Sequence, residues 1–362
     1  MKVLRADSLS RAYDVVVGRG VLADLGALLA ARRPLNKAVV CCDENVAPLY
    51  LCDAAQSLAT AGFSVSEIVI PAGETQKNLA RVEELYGVLY DRGIRRSDTL
   101  VALGGGVVGD LFGFCAATYQ RGVGFAQVPT TLLAQVDAAI GGKVGVDFRA
   151  GKNYIGAFYQ PHLVCADVDT LSTLPVREVR SGAAEVAKYG LAFGGAALAG
   201  CEAFAAHPVT AARIPESLVA ICAQHKLDVV SADEREESGA RAVLNLGHTV
   251  GHAIEAATQF RRYTHGEAVG LGLRAAVWLS ERLCGLSPAA GERAQRLLDA
   301  LELPGDVDGI VPGAIADLTR RDKKAGRDGV EFVLLRALGE PVLGARVPDE
   351  LLEEAVAWLA TR

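Results

Sequence analysis

Thr99-Leu100-Val101-Ala102-Leu103 leads directly into Gly104-Gly105-Gly106-Val107-Val108-Gly109-Asp110, so that an apolar strand pattern passes through three glycines into a helical pattern. Glycines at a strand-to-helix turn let the backbone approach a pyrophosphate, whose charge is stabilised by the N–H groups at the start of the helix. The turn lacks the Gly-x-Gly-x-x-Gly fingerprint, and a tight turn without a ligand has the same pattern. The stretch therefore favours an α/β fold and makes nucleotide binding a hypothesis.

Around this stretch, the first half of the chain alternates β-branched runs with amphipathic helical patterns. Strands are predicted at residues 14–17, 37–42, 67–70, 99–103, 125–128 and 163–167. Helices are predicted at residues 21–31, 46–61 and 78–92. This alternation predicts a mostly parallel sheet with helices on both faces. We expect residues 1–176 to form an α/β, Rossmann-like nucleotide-binding domain.

The second half is rich in alanine and leucine at helical spacing and has almost no strand signal. Helices are predicted at residues 180–193, 211–231, 241–257, 267–284, 292–301 and 349–361. One exception is a small hairpin that is predicted from residues 330–335 and 341–347. We expect residues 177–362 to form an all-α C-terminal domain apart from this hairpin.

Composition limits the classes of protein to which the chain can belong. Its 362 residues are 51% hydrophobic and 22% charged, which is typical of a globular protein with room for two domains. The net charge of −6 argues against binding to nucleic acid or to an anionic membrane. Eight cysteines without a Cys-x-x-Cys pair, and no signal-peptide pattern or membrane-length apolar run, predict a soluble cytoplasmic protein with free thiols.

Polar residues follow several of the predicted strands, where parallel sheets bind their ligands. Acidic and amide groups that could meet a ribose follow the second strand, and further polar groups follow the third and fifth. These residues are Asp43 and Asn45, Glu74 and Lys77, and Thr130 and Thr131. Ordinary loops favour the same residue types, so this edge is a hypothesis for dinucleotide binding.

Two lysines flanked by glycines lie in a glycine-rich stretch that we interpret as a loop. Lys143 follows two glycines, Lys152 precedes Asn153, and Asp137 lies shortly before them. Such lysines can approach a phosphate or a carboxylate closely, although solvated loop lysines are the alternative.

A polar stripe consisting of Arg241, Asn245, His248 and His252 has spacings of four, three and four residues. These spacings place the stripe on one face of the predicted helix 241–257, among apolar residues, where each polar group needs a partner. Satisfied core polar groups are the alternative to a functional site.

A metal site is the second hypothesis for this region. Glu185 with His248 and His265 would make a Glu-His-His set, which leaves a catalytic Zn²⁺ open to substrate. The spacing alone does not establish the site, and a surface ion pair is the alternative for Glu185 and Lys188. Lys226 precedes a charged stretch, residues 233–237, that we interpret as a solvated loop, and residues 320–324 form a basic cluster.

The chain resembles the 3-dehydroquinate synthase family of sugar phosphate cyclases over nearly its whole length. The motifs that carry the resemblance lie at residues 104–111, 127–137, 141–143, 151–153, 184–190, 244–255, 265–269 and 321–324. The resemblance implies a lyase of the shikimate pathway, which supplies chorismate and the aromatic amino acids. Its expected substrate is 3-deoxy-D-arabino-heptulosonate 7-phosphate, and its products are 3-dehydroquinate and phosphate. Transient oxidation by NAD, phosphate β-elimination, re-reduction and aldol closure would give no net redox change.

The resemblance also implies roles for individual residues. Metal ligands for Zn²⁺ or Co²⁺ would be Glu185, His248 and His265. NAD would contact Asp43, Asn45, Glu74, Lys77, Gly105, Gly106, Val107, Val108, Gly109, Asp110, Thr130, Thr131, Lys143, Lys152, Thr170, Leu171, Ser172 and Thr173. Substrate and catalysis would involve Arg121, Asp137, Lys143, Lys152, Asn153, Lys188, Lys226, Arg241, Asn245, His252 and one of Lys323 or Lys324. Arg121 would reach the neighbouring site of a homodimer.

Three rival functions stay open at this stage. A metal- and NAD-dependent polyol dehydrogenase has a similar two-domain plan but less use for so many cations facing a doubly anionic substrate. Another cyclase, such as an aminodehydroquinate, valiolone or inosose synthase, shares most motifs, although Arg241, Asn245 and His252 resemble the dehydroquinate type. A non-enzymatic NAD-sensing protein is disfavoured by the complete Glu-His-His set.

Overall fold

A computed structural model describes residues 1–7, 10–149, 151–307, 312–322 and 330–362. The chain forms two compact units. The first unit comprises Met1–Leu174 and Lys226–Arg235, and the second comprises Pro175–His225 and Glu236–Arg362. The division predicted after residue 176 assigns Lys226–Arg235 to the second domain, whereas in the structure this segment belongs to the first unit.

The described residues of the first unit form nine strands. They are β1 (Lys2–Ala6), β2 (Tyr13–Gly18), β3 (Lys37–Asp43), β4 (Ser64–Ile70), β5 (Thr99–Gly104), β6 (Gly124–Pro129), β7 (Lys143–Phe148), β8 (Gly151–Phe158) and β9 (Leu163–Asp167). Seven of them form a sheet in the order β1-β2-β9-β6-β5-β3-β4. Every pair in this sheet is parallel except β1 with β2, which confirms the predicted mostly parallel sheet.

Helices cover both faces of this sheet because its central strands are apolar on both sides. They are α1 (Leu25–Ala30), α2 (Cys52–Thr60), α3 (Leu79–Asp91) and α4 (Gly106–Thr118). Along β3, Val39 belongs to the core formed with α3 and α4, whereas Val40 belongs to the core formed with α1 and α2. This alternation is what the period of two in a strand requires.

Two features of the first unit differ from the sequence expectation. Strand β1 was not predicted, and it pairs antiparallel with β2 at the edge of the sheet. The stretch interpreted as a glycine-rich loop is instead an antiparallel hairpin of β7 and β8. A Cβ on Gly145 would lie 2.7 Å from the carbonyl oxygen of Ile155, so glycine here permits close pairing of the two strands.

The second unit is helical apart from one hairpin in the ranges that the structure describes, as expected. Its helices are α5 (Val176–Phe193), α6 (Gly195–Ala205), α7 (Glu216–Ala232, shared with the first unit), α8 (His248–Ala257), α9 (His265–Leu283), α10 (Pro288–Ala300), α11 (Pro312–Asp322) and α12 (Asp349–Ala360). Strands β10 (Val330–Ala337) and β11 (Glu340–Val347) pair antiparallel at the predicted place. Helices α6 and α11 were not predicted.

Two further expectations concern thiols and membranes. All eight cysteines are free in the structure, and six of them are buried, whereas Cys52 is exposed and Cys284 is partly exposed. Of the helices in the described ranges, none combines the length and the apolar character that crossing a bilayer requires.

Candidate active site: a cofactor edge and a metal cluster

The glycines after β5 form a tight turn into α4 at the carboxyl edge of the sheet. A Cβ on Gly105 would lie 3.0 Å from Cγ2 of Thr131, and a Cβ on Gly104 would lie 2.9 Å from the side chain of Val108. The N–H of Thr130 donates to the carbonyl oxygen of Gly104 over 3.0 Å. Larger residues would therefore crowd the turn. Its glycine backbone leaves the first N–H groups of α4 available to an anion.

Lys77 joins two other predicted site residues at this edge. Its side chain is buried, and its Nζ donates to Oδ2 of Asp110 over 2.5 Å and also to Oδ1 of Asn153. Burial raises the pKa of Asp110, and the ammonium of Lys77 opposes this rise. The structure thus brings together two residues expected at the cofactor and one expected at the substrate.

The β7–β8 hairpin carries Lys152 and Asn153 to the loop that follows β4. Nζ of Lys152 lies 3.5 Å from Oε1 of Glu74, and the N–H of Asn153 donates to Oδ1 of Asp147 over 2.8 Å. The N–H of Asp147 in turn donates to the carbonyl oxygen of Lys77 over 2.8 Å. Oε1 of Glu74 is buried and accepts no hydrogen bond from the described part of the chain. This carboxylate therefore retains an acceptor for a ligand.

Asp43 has a structural role at the end of β3. Its Oδ1 accepts hydrogen bonds from the N–H groups of Asn45 at 2.9 Å and Val46 at 3.0 Å. These bonds close the turn that leads to the short helical segment Ala47–Leu51. The predicted contacts of Asp43 and Asn45 with a ribose stay predictions.

The segment Val168–Thr173 follows β9 and contains all four of the later residues expected at NAD. Two residues that the sequence analysis missed anchor it. The hydroxyl of Tyr50 donates to the carbonyl oxygen of Thr170 over 2.9 Å and lies 2.7 Å from Oγ1 of Thr173. The buried amide of Gln135 donates to the carbonyl oxygens that end β6 and β9, at 3.0 and 2.8 Å. The periodicity of the sequence carries no signal for either contact.

Lys226 and Asp137 form a buried ion pair within the first unit. Nζ of Lys226 lies 2.7 Å from Oδ1 of Asp137, and the lysine side chain is only 8% exposed. A buried cation of this kind needs its carboxylate, because an unpaired charge in the interior is costly. The pairing assembles two residues that were expected at the substrate from separate parts of the chain.

The charged stretch at residues 233–237 is a loop, as the sequence indicated, but only residues 235–237 of it are exposed. Asp233 and Glu234 are buried. Glu234 accepts hydrogen bonds from the N–H of Ser10 at 3.1 Å and from Nε2 of Gln160 at 3.0 Å. The interpretation as a solvated loop is therefore wrong for Asp233 and Glu234, because Glu234 has partners that are distant in the sequence.

Two of the expected cations are exposed at the surface of the first unit. Arg121 has a left-handed backbone, with φ of 64°, in the short turn Tyr119–Arg121. Lys143 opens β7 and is also exposed. Their contacts with substrate stay predictions. Lys323 and Lys324 lie outside the described residues.

In the second unit, the predicted helix 241–257 is confirmed only from His248 onward. A short 3₁₀ segment, Ala240–Asn245, ends before Gly247, which has φ of 78°, and α8 begins only at His248. A Cβ on Gly247 would lie 2.8 Å from the backbone nitrogen of Leu273, so glycine is required both by φ and by the approach of α9. Arg241 and Asn245 therefore do not share one helical face with His248 and His252.

The Glu-His-His set is nevertheless assembled, with each member on a different helix. Oε1 of Glu185, on α5, lies 3.4 Å from Nε2 of His248 and 3.5 Å from Nε2 of His265. One potential ligand atom from each side chain lies within 4.8 Å of the others. Both oxygens of Glu185 are buried, and neither accepts a well-formed hydrogen bond within the described ranges. A buried carboxylate that faces two imidazole nitrogens in this way fits a divalent cation.

The other ring nitrogen of each histidine, Nδ1, also has a polar contact. Nδ1 of His248 donates to the carbonyl oxygen of Leu246 over 3.2 Å. Nδ1 of His265 lies 3.4 Å from Oε2 of Glu255, which is buried on α8. Each contact leaves Nε2 as the nitrogen that faces Glu185. Glu255 is a further residue that the sequence analysis missed as a functional group.

Charges around Glu185 shift the pKa values of this cluster in different directions. Burial raises the pKa of Glu185, but Lys188 and then His248 outweigh it and hold the value well below its usual range. Burial lowers the pKa of His248 to about 4. Burial also disfavours a charge on His265, yet the neighbouring carboxylates of Glu185 and Glu255 raise its pKa to about 9. Lys188 and Glu185 do form an ion pair, but it is buried and not on the surface.

Glycines bring the three helices close enough for this cluster. A Cβ on Gly266, in the first turn of α9, would lie 1.8 Å from the carbonyl oxygen of Ser181 on α5. A Cβ on Gly251 of α8 would lie 3.1 Å from the carbonyl oxygen of Ala268 on α9. The N-terminus of α9 is fixed by a capping box, in which Thr264 and Glu267 exchange hydrogen bonds. Backbone contact therefore sets the separation of the ligand-bearing residues.

The other members of the polar stripe have different surroundings, and His252 lies beside the cluster. Arg241 is buried, and its Nε lies 3.4 Å from Oε1 of Glu236. The ring centroid of His252 lies 5.3 Å from that of His248 and 6.1 Å from that of His265. Asn245 ends the 3₁₀ segment and is partly buried.

The sequence matches both halves of one family. The model for the 3-dehydroquinate synthase N-terminal region matches residues 67–181, and the model for the 3-dehydroquinate synthase C-terminal region matches residues 182–325. A 3-dehydroquinate synthase from Acidithiobacillus ferrooxidans is 44% identical over 359 residues, which cover 98% of each chain. The chain belongs to the 3-dehydroquinate synthase family.

Solved structures of other sugar phosphate cyclases share the fold. A 2-deoxy-scyllo-inosose synthase, crystallised with carbaglucose-6-phosphate, NAD⁺ and Co²⁺, superimposes with a TM-score of 0.87 at 26% identity, covering 98% of this chain and 99% of the other. A 2-epi-5-epi-valiolone synthase from Streptomyces hygroscopicus subsp. jinggangensis, with NAD⁺ and Zn²⁺ bound, gives 0.85 at 27% identity, covering 99% and 100%. Both expected fold classes, the parallel α/β unit and the helical unit, are confirmed by these neighbours and by the structure.

Proposed function

We propose that the protein is an NAD- and metal-dependent lyase that converts 3-deoxy-D-arabino-heptulosonate 7-phosphate to 3-dehydroquinate and phosphate. The observation that carries the proposal is the buried carboxylate of Glu185, which faces Nε2 of both His248 and His265. It occurs in a chain that is 44% identical to a 3-dehydroquinate synthase over nearly its full length. The functional division we propose is NAD binding by residues 1–176 and metal binding by residues 177–362.

We assign the divalent cation, Zn²⁺ or Co²⁺, to Glu185, His248 and His265. Two nitrogens and one carboxylate oxygen suit either ion and leave positions open for oxygen atoms of the substrate. Both neighbouring cyclases were crystallised with one of these ions. Lys188, which contacts Oε2 of Glu185, limits the negative charge that the cluster presents.

The NAD site that we propose lies along the carboxyl edge of the sheet in the first unit. The open backbone at Gly105 and Gly106 suits a pyrophosphate, and the buried Oε1 of Glu74, which lies 3.5 Å from Nζ of Lys152, can accept a hydrogen bond from a ligand. The remaining contacts that we propose are Asp43, Asn45, Lys77, Val107, Val108, Gly109, Asp110, Thr130, Thr131, Lys143, Lys152, Thr170, Leu171, Ser172 and Thr173.

When bound, NAD⁺ takes up and returns a hydride, while the cation lowers the pKa of a substrate hydroxyl. The protein's own groups bind the substrate, neutralise its negative charges and move protons. Cations that would offset the phosphate and carboxylate of the substrate are Lys143, Lys152, Lys188, Lys226 and Arg241, with Asn153 and Asn245 as hydrogen-bonding amides. Asp137 holds Lys226, and the imidazole of His252, next to His248, is the group we assign to proton transfer.

We also propose a homodimer in which Arg121 reaches the neighbouring site, with one of Lys323 or Lys324 at the substrate. An exposed arginine held in a left-handed turn is available to a second chain. Eight free thiols support a reducing, cytoplasmic environment.

The test is a turnover assay with purified protein, Zn²⁺, substrate, and NAD⁺ in an amount far below that of the substrate. Phosphate and 3-dehydroquinate should form in equal amounts over many turnovers, without accumulation of NADH. Conversion of the added NAD⁺ to NADH, with turnover ending there, would favour the polyol dehydrogenase. Phosphate release without 3-dehydroquinate would favour another cyclase. Either result would refute the proposal.

The metal assignment has its own measurement. After equilibration with Zn²⁺ and gel filtration, His248→Gln should retain far less zinc than the parent protein. His207→Gln, at an exposed histidine outside the cluster, should retain as much as the parent. Equal zinc contents in the two variants would contradict the assignment.

A further inference from the structure

Glu255 is a buried carboxylate to which the proposed reaction gives no role. Its side chain is only 2% exposed, and its Oε2 lies 3.4 Å from Nδ1 of His265. Burial of a carboxylate is costly unless it is paired or hydrogen-bonded. Its position against a proposed metal ligand therefore suggests what it does.

We propose that Glu255 is a positioning residue, which fixes the ring of His265 through Nδ1 and strengthens cation binding at Nε2. The inference rests on the proposed metal site. An N–H that is donated to a carboxylate fixes the tautomer, so that the lone pair of Nε2 faces Glu185, and it makes the imidazole a better ligand.

The two histidines differ in this respect. His248 donates to a neutral carbonyl oxygen, that of Leu246, whereas His265 faces a carboxylate. Removal of Glu255 therefore affects one ligand selectively. It also removes a negative charge close to the cation.

A second geometry must be distinguished from this one. His252, Glu255 and His265 also offer one ligand atom each within 4.8 Å, so Glu255 could itself bind the cation. The oxygens of Glu185, however, lack well-formed hydrogen bonds in the described residues, while Oε2 of Glu255 already faces His265. Glu185 faces Nε2 of both His248 and His265, whereas Glu255 lies at Nδ1 of His265, which favours Glu255 as the residue behind the ligand.

The experiment measures zinc affinity, independently of turnover. Metal-free parent protein, Glu255→Gln and Glu255→Ala are titrated with Zn²⁺ in competition with a chromophoric chelator. We expect Glu255→Ala to bind zinc about 10- to 100-fold more weakly. This is the typical effect of removing a group that is hydrogen-bonded to a metal ligand. Glu255→Gln should lose less, because its amide oxygen can still accept from Nδ1.

Glu234→Gln is the matched control, since it also neutralises a buried carboxylate, but one held by Ser10 and Gln160 in the first unit. It should bind zinc within about twofold of the parent, well outside the range expected for the loss of Glu255. If Glu255→Ala fails to fold, the isosteric Glu255→Gln decides the question, with near-ultraviolet circular dichroism to verify its fold.

Two results would overturn the inference. One is zinc affinity in both Glu255 variants equal to that of the parent. The other is loss of zinc in Glu255→Gln and His252→Gln with retention in His248→Gln, which would make Glu255 a ligand of the second set. A parent protein that binds no zinc would refute the proposed function itself, whereas unchanged variants refute only the role of Glu255.

Discussion

Gly266→Ala tests whether backbone contact between α5 and α9 sets the geometry of the metal cluster. The added Cβ would lie 1.8 Å from the carbonyl oxygen of Ser181, and Cβ contacts in proteins essentially never fall below 3.0 Å. The atom in the way belongs to the backbone, so a side-chain rotation cannot relieve the clash. The two helices must therefore move apart locally by about 1.2 Å, the difference between these two distances.

The cost has two parts. Overpacking costs about 1–3 kcal/mol, and strain on the hydrogen bond from the N–H of Gly266 to Oγ of Ser181, now 3.1 Å long, adds about 1 kcal/mol. We therefore expect the free energy of unfolding to fall by about 2–4 kcal/mol. Metal sites hold their ligand distances to about 0.2 Å, so a displacement of His265 by several times that amount should also weaken zinc binding at least about tenfold.

Urea unfolding and zinc titration measure the two effects in the same preparation. Gly270→Ala, on the same helix, is the matched control, because its Cβ would meet only the side chain of Leu303 at 3.3 Å. The control gains helix propensity and should change stability by no more than about 1 kcal/mol. If Gly266→Ala matches Gly270→Ala in both measurements, the reasoning from backbone contact is refuted.

Two further predictions concern buried charges. Lys77→Met leaves Asp110 without its cation and should lower the free energy of unfolding by about 3–5 kcal/mol. The double variant Lys77→Met with Asp110→Asn should lose clearly less. Equal losses of the two variants in urea unfolding would refute the pairing. Burial, then Arg11 and Arg33, lower the pKa of His162 to about 3, so the folded protein keeps it neutral while the unfolded chain takes up a proton below pH 6.5. The free energy of unfolding should therefore fall as the pH drops from 6.5 towards 3. Between pH 6.5 and about pH 5, His162→Gln should lose up to about 2 kcal/mol less of this free energy than the parent. Parallel profiles of the two proteins in urea denaturation against pH would exclude this role of His162.

The central sheet could be predicted because its signal is local. Strands such as β3 and β5 are apolar on both faces, and the glycines after β5 mark the turn, so composition and spacing suffice. The β7–β8 hairpin was missed because its signal is a contact between its two strands. Gly145 allows the backbone at Ile155 to approach closely, and this contact is not visible in the local pattern.

The candidate site divides in the same way. Residue types and the resemblance indicated Glu185, His248 and His265, and the structure brings them together. The geometry of the polar stripe could not be predicted, because the helix is broken at Gly247 by the approach of Leu273 on another helix. Glu255 is equally invisible in the sequence, since its role depends on its distance to His265.

Lys226–Arg235 packs with the first unit although it lies in the C-terminal half of the chain, and this limits how the chain can be recombined with its relatives. A crossover near residue 174, or between the two matched family regions at residue 181, takes Asp137 from one parent and Lys226 from the other. A chimera made by simple exchange of halves would inherit a buried ion pair whose two members had not evolved together. Shuffling that keeps residues 226–235 with the parent of the N-terminal half preserves that pair.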